Sequence, residues 1–277
     1  MQVIEDIAQI AGRFDGIVFD QYGVLHDGTD PYPGAPAALE RLRAAGHRLA
    51  VLSNSGKRAA FNARRIADKG FAPDLFELVM TSGEALRADL ARGAVPWRRL
   101  WSVEGAPGDA ASFARGLDVE LVAGPAEADA VLLMGLPRGT GAREAEGLLR
   151  LMEGLPVMCS NPDRASPRSG GGTEVSPGAL AHRHAAAGGE VRWYGKPHGP
   201  VFDAVAREMG TARLLMVGDS PEHDIAGGAD AGWATCLVMG GLHAARLGND
   251  ASRVGALCEE EGAPMPTYAI TAIGAGP

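Results

Sequence analysis

Ile17-Val18-Phe19-Asp20-Gln21-Tyr22-Gly23-Val24-Leu25-His26-Asp27-Gly28 runs from an apolar, β-branched segment into a carboxylate and then into a glycine-bearing loop. That order places Asp20 at the carboxyl end of a strand, where open α/β sheets put their ligand crevices. A carboxylate there can attack phosphorus, hold a metal, or do both. Many buried strands also end in Asp simply to cap the next turn. The rest of the chain decides between these readings, because three further strand ends match.

Working outward, Gly16–Asp20 is the first strand and Pro36–Ala45 the helix after it, with Ala38, Leu39, Leu42 and Ala45 on one face and Gly46 as its stop. Arg48–Leu52 is a second apolar strand ending at Ser53-Asn54-Ser55-Gly56, and Lys57–Lys69 is a helix closed by Gly70. Leu78–Met80 is a short third strand. Connections this short imply right-handed crossovers and a parallel sheet. The middle of the chain repeats the rhythm as a separate unit, with strands at Leu100–Val103, Val119–Val122, Ala130–Met134 and Val157–Ser160. Ser160–Gly172, rich in Ser, Asn, Pro, Arg and Gly, reads as an exposed loop. The last third returns to the first pattern: Val191–Tyr194 ends at Gly195-Lys196-Pro197, Arg213–Val217 ends at Gly218-Asp219-Ser220, Asp224–Ala231 is a short helix, and Thr235–Met239 ends at Gly240-Gly241. After about residue 245 the pattern weakens.

The chain has 277 residues, 46% of them hydrophobic, which allows one large or two ordinary domains with ample core. Alternating apolar runs and helical stretches indicate an α/β fold with a doubly wound parallel sheet. A formal net charge of −8 argues against nucleic acid or an anionic membrane as a partner. The three cysteines, Cys159, Cys236 and Cys258, sit in or near apolar runs and read as buried reduced thiols. No apolar run reaches the roughly 18 residues of a membrane span, and the first residues lack a signal peptide's pattern, so a cytoplasmic location is expected.

Four strand ends carry polar side chains: Asp20, Ser53 with Asn54, Lys196, and Asp219 with Asp224. On one edge of a parallel sheet they converge, and together they fit phosphoryl transfer. A phosphate ester carries about two negative charges, so a carboxylate approaches it only with a cation between them. Asp20 and Asp219 offer hard oxygen ligands suited to Mg²⁺. Asp224 would orient Asp219 or a metal-bound water from behind. Lys196 is the fixed positive charge on the phosphate and on Asp20. The Ser53 hydroxyl and the N–H groups of Ser53–Gly56, including those of Asn54, Ser55 and Gly56, would bind phosphate oxygens. Asp20 would attack in line, and water would hydrolyse the aspartyl-phosphate.

The chain resembles the haloacid dehalogenase superfamily. The motifs that carry the resemblance are Asp20-Gln21-Tyr22-Gly23-Val24-Leu25, Leu52-Ser53-Asn54-Ser55, Gly195-Lys196-Pro197 and Gly218-Asp219-Ser220-Pro221-Glu222-His223-Asp224, in that order. The Gly-Val-Leu ending of the first motif, the α/β insert between the second and third, and Ser160-Asn161-Pro162-Asp163 look like class IIA, with its NagD-like and pyridoxal phosphate phosphatases. The resemblance implies a Rossmann-like core over residues 1–83 and 186–277 and an inserted α/β cap over 84–185. It also implies a backbone carbonyl of Tyr22 as a metal ligand, substrate selection by the loop Asn161–Gly172, and pairing of two chains through their caps. Arg164 and Arg168 on that loop are the best candidates for contact with an anionic substrate. Trp97, Trp101, His182 and His184 also lie in the cap.

One position departs from the phosphatase pattern. Tyr22 stands where such enzymes keep a second Asp for proton transfer, and an unperturbed tyrosine titrates near pH 10. His26 on the same loop is the nearest candidate substitute, and His198 a weaker one. The sequence therefore favours a Mg²⁺-dependent phosphatase for a small phosphorylated metabolite, of the sugar or nucleotide phosphate class, slowed by Tyr22. The alternatives are a related enzyme cleaving a carbon–phosphorus or carbon–halogen bond, and a binder or sensor that has lost its acid–base group.

Overall fold

The computed structural model describes residues 1–167 and 173–274. Its strands are β1 (Gln2–Val3), β2 (Gly16–Phe19), β3 (Leu49–Ser53), β4 (Leu78–Thr81), β5 (Arg99–Val103), β6 (Glu120–Val122), β7 (Ala130–Leu133), β8 (Val157–Cys159), β9 (Ala165–Pro167), β10 (Thr173–Val175), β11 (Val191–Trp193), β12 (Leu214–Gly218), β13 (Ala234–Val238) and β14 (Tyr268–Ile270). The chain divides into two compact units. The first holds residues 1–53, 60–80 and 196–277, the second residues 54–59 and 81–195.

The first unit is built on a seven-stranded sheet in the order β1-β14-β13-β12-β2-β3-β4. β2 is paired in parallel with β12 on one side and β3 on the other. Alternation along each strand buries both faces, as a parallel sheet requires. Cys236, Val238, Val217 and Phe19 face Leu39 and Leu42 of the helix Ala35–Ala44, with Ile66 beyond. Leu237 and Ala269 face Leu257 and Cys258 of the helix Val254–Glu260. The helix Ala226–Asp230 lies so close to the same side of the sheet that a Cβ on Gly228 would stand 3.0 Å from Met216 Cβ. The sheet is therefore doubly wound. Successive strands leave β2 in one direction through β3 and β4, and leave β12 in the other through β13 and β14. The switch point falls between β2 and β12, whose carboxyl ends lead into Asp20 and Asp219.

The second unit has a five-stranded sheet, β11-β8-β7-β5-β6, with every recorded pair parallel. Val131, Leu133, Val157 and Cys159 pack against Ala145 and Met152 of the helix Ala142–Met152 and Leu180 and Ala181 of the helix Pro177–Ala186. β9 and β10 form a separate antiparallel pair.

Several expectations are corrected here. Val191–Tyr194 does not rejoin the first sheet: β11 pairs with β8, so residues 186–195 belong to the second unit rather than the core. Residues 54–59 and 81–83 also fall to the second unit. Part of the polar loop Ser160–Gly172 is strand β9, and Ser160 is fully buried, its hydroxyl donating to Leu133 O at 3.2 Å. Between residues 245 and 274 the chain forms the helix Val254–Glu260 and then β14, which is inserted between β13 and β1. All three cysteines are buried free thiols. Among the described residues, no helix is long and apolar enough to cross a membrane.

Candidate active site

Asp20 follows β2 directly, and its N–H donates to Val217 O on β12 at 2.8 Å, which ties the two strand ends together. Asp219 follows β12. After it the chain makes a wide turn, with Asp224 N–H donating to Ser220 O at 2.9 Å and Ile225 N–H to the same oxygen at 3.3 Å. That turn brings the Asp224 carboxylate back to accept from Ser220 N–H at 3.1 Å. A Cβ on Gly218 would lie 2.1 Å from Asp224 Cγ, so glycine is required there for the carboxylate to tuck in.

Lys196 is nearly fully buried and donates to Asp20 Oδ1 and to Asp224 Oδ1, both at 2.6 Å. It does not reach this place from a core strand. It stands between β11 and the helix Gly199–Met209, on the segment where the chain enters the first unit. Asp224 thus holds Lys196 and the turn in place.

Asp20, Asp219 and Asp224 bring one carboxylate oxygen each to within 4.8 Å of one another. Burial pushes the Asp20 carboxyl up, to about 6, against the pull of Lys196. Burial, then the charges of Asp20 and Asp224, push Asp219 up to about 8. Burial disfavours the Lys196 ammonium, but Asp20 and Asp224 outweigh it and hold its pKa above the ordinary lysine value. Three carboxylates thus face one ammonium. Asp219 accepts from Leu242 N–H at 2.7 Å and has glycine on two sides. A Cβ on Gly23, whose φ is +84°, would lie 1.8 Å from Asp219 Oδ2, and one on Gly241 2.4 Å from it. This all-oxygen donor set, short of positive charge, fits a hard divalent cation.

Ser53 closes β3, the neighbour of β2. Asn54, Ser55 and Gly56 lie in the second unit, where Asn54 Nδ2 donates to Asp163 Oδ1 at 2.7 Å and Ser55 O accepts from Gly83 N–H at 3.2 Å. Gly56 packs against Ser160, whose Oγ would be 2.7 Å from a Cβ there. Arg164 is exposed, and Arg168 lies outside the described residues. His182 stacks on Trp193 with ring centroids 4.5 Å apart. His198 precedes the helix Gly199–Met209 as its cap residue.

The loop after Asp20 corrects one expectation. His26 is only 1% exposed. Its Nδ1 accepts from Gly28 N–H at 3.0 Å, which leaves the proton on Nε2. Nε2 faces the Gln21 amide nitrogen at 3.1 Å, and exchanging that amide's O and N gives the otherwise unpartnered Gln21 Oε1 this N–H to accept. Burial, reinforced by Lys69 and Arg65, pulls its pKa down to about 4. A neutral ring with both nitrogens engaged in its own loop braces that loop and is not set up to deliver protons. Tyr22 is 47% exposed, with His26 edge-on to its ring and Gly28 beneath it. Sequence reasoning missed Gln21 and Lys69, whose Nζ donates to Gly28 O at 2.6 Å and Thr29 O at 2.9 Å. Neither has a motif to betray it. It also missed Leu242 N–H, although Gly240-Gly241 marked that strand end.

Known proteins match this architecture. A family profile described as haloacid dehalogenase-like hydrolase matches residues 17–116, and one described as HAD-hydrolase-like matches residues 193–259. Human chronophin is 32% identical over 85% of this chain and 84% of its own length. Chicken glycerol-3-phosphate phosphatase is 31% identical over 86% of this chain and 83% of its own. A crystal structure of a haloacid dehalogenase-like hydrolase from Brucella suis 1330 superposes with a TM-score of 0.78 at 29% identity, covering 98% of this chain and all of that one. With the motif residues gathered as described, the chain belongs to the haloacid dehalogenase superfamily of hydrolases, in its class IIA phosphatase branch.

Proposed function

We propose that the protein is a Mg²⁺-dependent phosphatase of a small phosphorylated metabolite, working through an aspartyl-phosphate, an acyl phosphate formed on Asp20. The observation that carries this reading is the placement of Lys196 between Asp20 and Asp224, with Asp219 alongside. Held at Oδ1 by Lys196, Asp20 attacks phosphorus through its other oxygen. A P–O bond to Asp20 forms as the bond to the leaving oxygen breaks, and the leaving oxygen takes a proton. Water then attacks the same phosphorus, releasing inorganic phosphate and the Asp20 carboxylate. Asp20, Asp219 and the Tyr22 carbonyl would hold the cation. When bound, it screens the charge between carboxylate and phosphate and polarises the phosphoryl oxygens. Lys196 neutralises phosphate charge, and Asp224 fixes the ammonium. The Ser53 hydroxyl, with the N–H groups of Asn54, Ser55 and Gly56, supplies donors to phosphate oxygens. Arg164 and Arg168 would meet the substrate's anionic part, and pairing through the second unit follows the class IIA pattern.

The relatives' names point to small, alkyl-type phosphates such as glycerol 3-phosphate. Tyr22 predicts that turnover of these is slow. The test is phosphate release from a panel of alkyl and aryl phosphates, with Mg²⁺ and with chelator. Activity should require the metal, and Asp219→Ala should raise the Mg²⁺ requirement sharply or remove activity. Turnover that persists in chelator would overturn the metal assignment, and no turnover of any ester would favour a phosphometabolite binder.

A further inference from the structure

The loop that carries Tyr22 is buried at its base and exposed at its tip. Val24 and Leu25 lie in the core of the first unit, whereas Asp27, Thr29 and Asp30 are exposed. A tip with so little apolar contact belongs to the part of a fold that opens most easily. Yet short contacts connect it to Tyr22. Gly28 N–H donates to His26 Nδ1 at 3.0 Å, and Gly28 lies beneath the Tyr22 ring, where a Cβ would stand 3.0 Å from Cε2. His26 in turn clasps the Tyr22 backbone from both sides. Its carbonyl accepts from Gly23 N–H at 3.0 Å, and its own N–H donates to Gln21 O at 3.4 Å.

Lys69 secures this tip from outside the loop. It stands two residues beyond the helix Ala59–Ala67, in the same unit, and its Nζ donates to Gly28 O at 2.6 Å and to Thr29 O at 2.9 Å. A lysine at a helix end often bonds the last carbonyls of its own helix. Here both bonds go to the loop instead. The tip moves as one turn, because Asp27 Oδ1 accepts from the N–H groups of Thr29 and Asp30, both at 2.8 Å. Two charge-assisted bonds to adjacent peptides therefore fix the orientation of the whole turn as well as its distance.

We propose that Lys69 is a positioning residue of the active site. By tethering the tip it fixes the Tyr22 peptide, whose carbonyl is assigned to the cation, an inference that rests on the metal-dependent reading above. The sign of its effect separates this role from simple electrostatics. A lysine charge near a cation site repels the cation, so removing the charge alone would tighten metal binding. Removing a tether loosens it. Arg65, exposed one turn earlier, supplies the comparison: its charge also bears on His26, but its guanidinium lies over the Phe61 ring, 6.0 Å from the centroid.

The test is binding of Mn²⁺ alone, a paramagnetic stand-in suited to the same oxygen ligands, to the metal-stripped full chain, read by water-proton relaxation. Lys69→Met keeps the aliphatic stem and should weaken Mn²⁺ by about tenfold, the lower end of the loss when a group that orients a metal ligand is changed. Arg65→Met should bind Mn²⁺ as tightly as the parent or more tightly. Amide hydrogen exchange on the metal-free proteins should be faster at Gly23 and Gly28 in Lys69→Met, with the amides of β2 and β12 unchanged, which distinguishes a loosened loop from a loosened fold. Parent-like or tighter Mn²⁺ binding by Lys69→Met, equal weakening in Arg65→Met, or unchanged exchange at Gly23 and Gly28 would each overturn the inference alone. A parent that binds no Mn²⁺ would overturn the metal reading and the inference with it.

Discussion

Tyr22 sets the chemistry of the proposed enzyme more than any other single residue. Its ring stands half-exposed on the loop that follows Asp20, against His26 and Gly28, and a phenol is a poor substitute for the carboxylate that passes protons in related phosphatases. General acid–base catalysis contributes about 10²–10⁴-fold. Esters whose leaving groups need no proton should therefore turn over best. Tyr22→Asp should raise turnover of alkyl phosphates more than that of aryl phosphates, measured as the ratio of kcat/KM for the two classes. An unchanged ratio would show that another group already moves the proton. The position was legible in the sequence because it breaks a motif. The state of His26 was not: the identity and spacing of a histidine do not reveal that both its nitrogens are engaged, at Gly28 and Gln21.

At the scale of elements, the strands that carry chemistry could be read because each is an apolar run stopping at a polar residue. Their sheet membership could not. A three-residue parallel strand such as β11 looks the same in either sheet, and only its register with β8, Val191 opposite Val157, assigns it to the second. β14, also three residues long, is held by neighbours distant in sequence and left no periodic signal. Helix starts depend on similar long-range bonds. The helix Ser82–Ala91 begins with Thr81 accepting from Glu84 N–H at 3.0 Å. The Glu84 carboxylate in turn accepts from Arg58 Nε at 2.8 Å and from Ala59 N–H at 3.0 Å. Burial alone would raise the Glu84 pKa, but the bonds from Arg58 and Ala59 outweigh it and hold it below the ordinary value of 4.5. The folded form is the one that binds protons less readily, so this contribution to stability is full above the unfolded value and lost as pH falls through the lower folded one. Glu84→Gln should cost about 1–3 kcal/mol at neutral pH. The difference from the parent, read by denaturant unfolding, should shrink below a pH of about 4.

For the whole molecule, the structure separates two kinds of work. The carboxylates and Lys196 all stand on the first unit, at the switch point between β2 and β12, whereas Asn161, Asp163 and Arg164 stand on the second. On the proposed reading, substitutions in the second unit change selectivity and leave the metal requirement alone. Arg164→Ala should alter KM or the ranking of phosphate esters while its Mg²⁺ dependence matches the parent's. A parent-like substrate profile would place recognition elsewhere in that unit. The division into two α/β units was visible in the alternation of strands and helices along the chain, but its edges were not, since a crossing segment such as Gly195–Lys196 belongs by chain order to both. The central claim, that Asp20 is the nucleophile, is tested most directly by phosphate release from Asp20→Asn under saturating Mg²⁺, with circular dichroism and thermal unfolding confirming a native fold. The account predicts that a folded Asp20→Asn variant loses turnover by about a thousandfold or more, because an amide neither attacks phosphorus nor ligates the cation well. Activity within about tenfold of the parent, well short of the loss expected for a nucleophile, would contradict it.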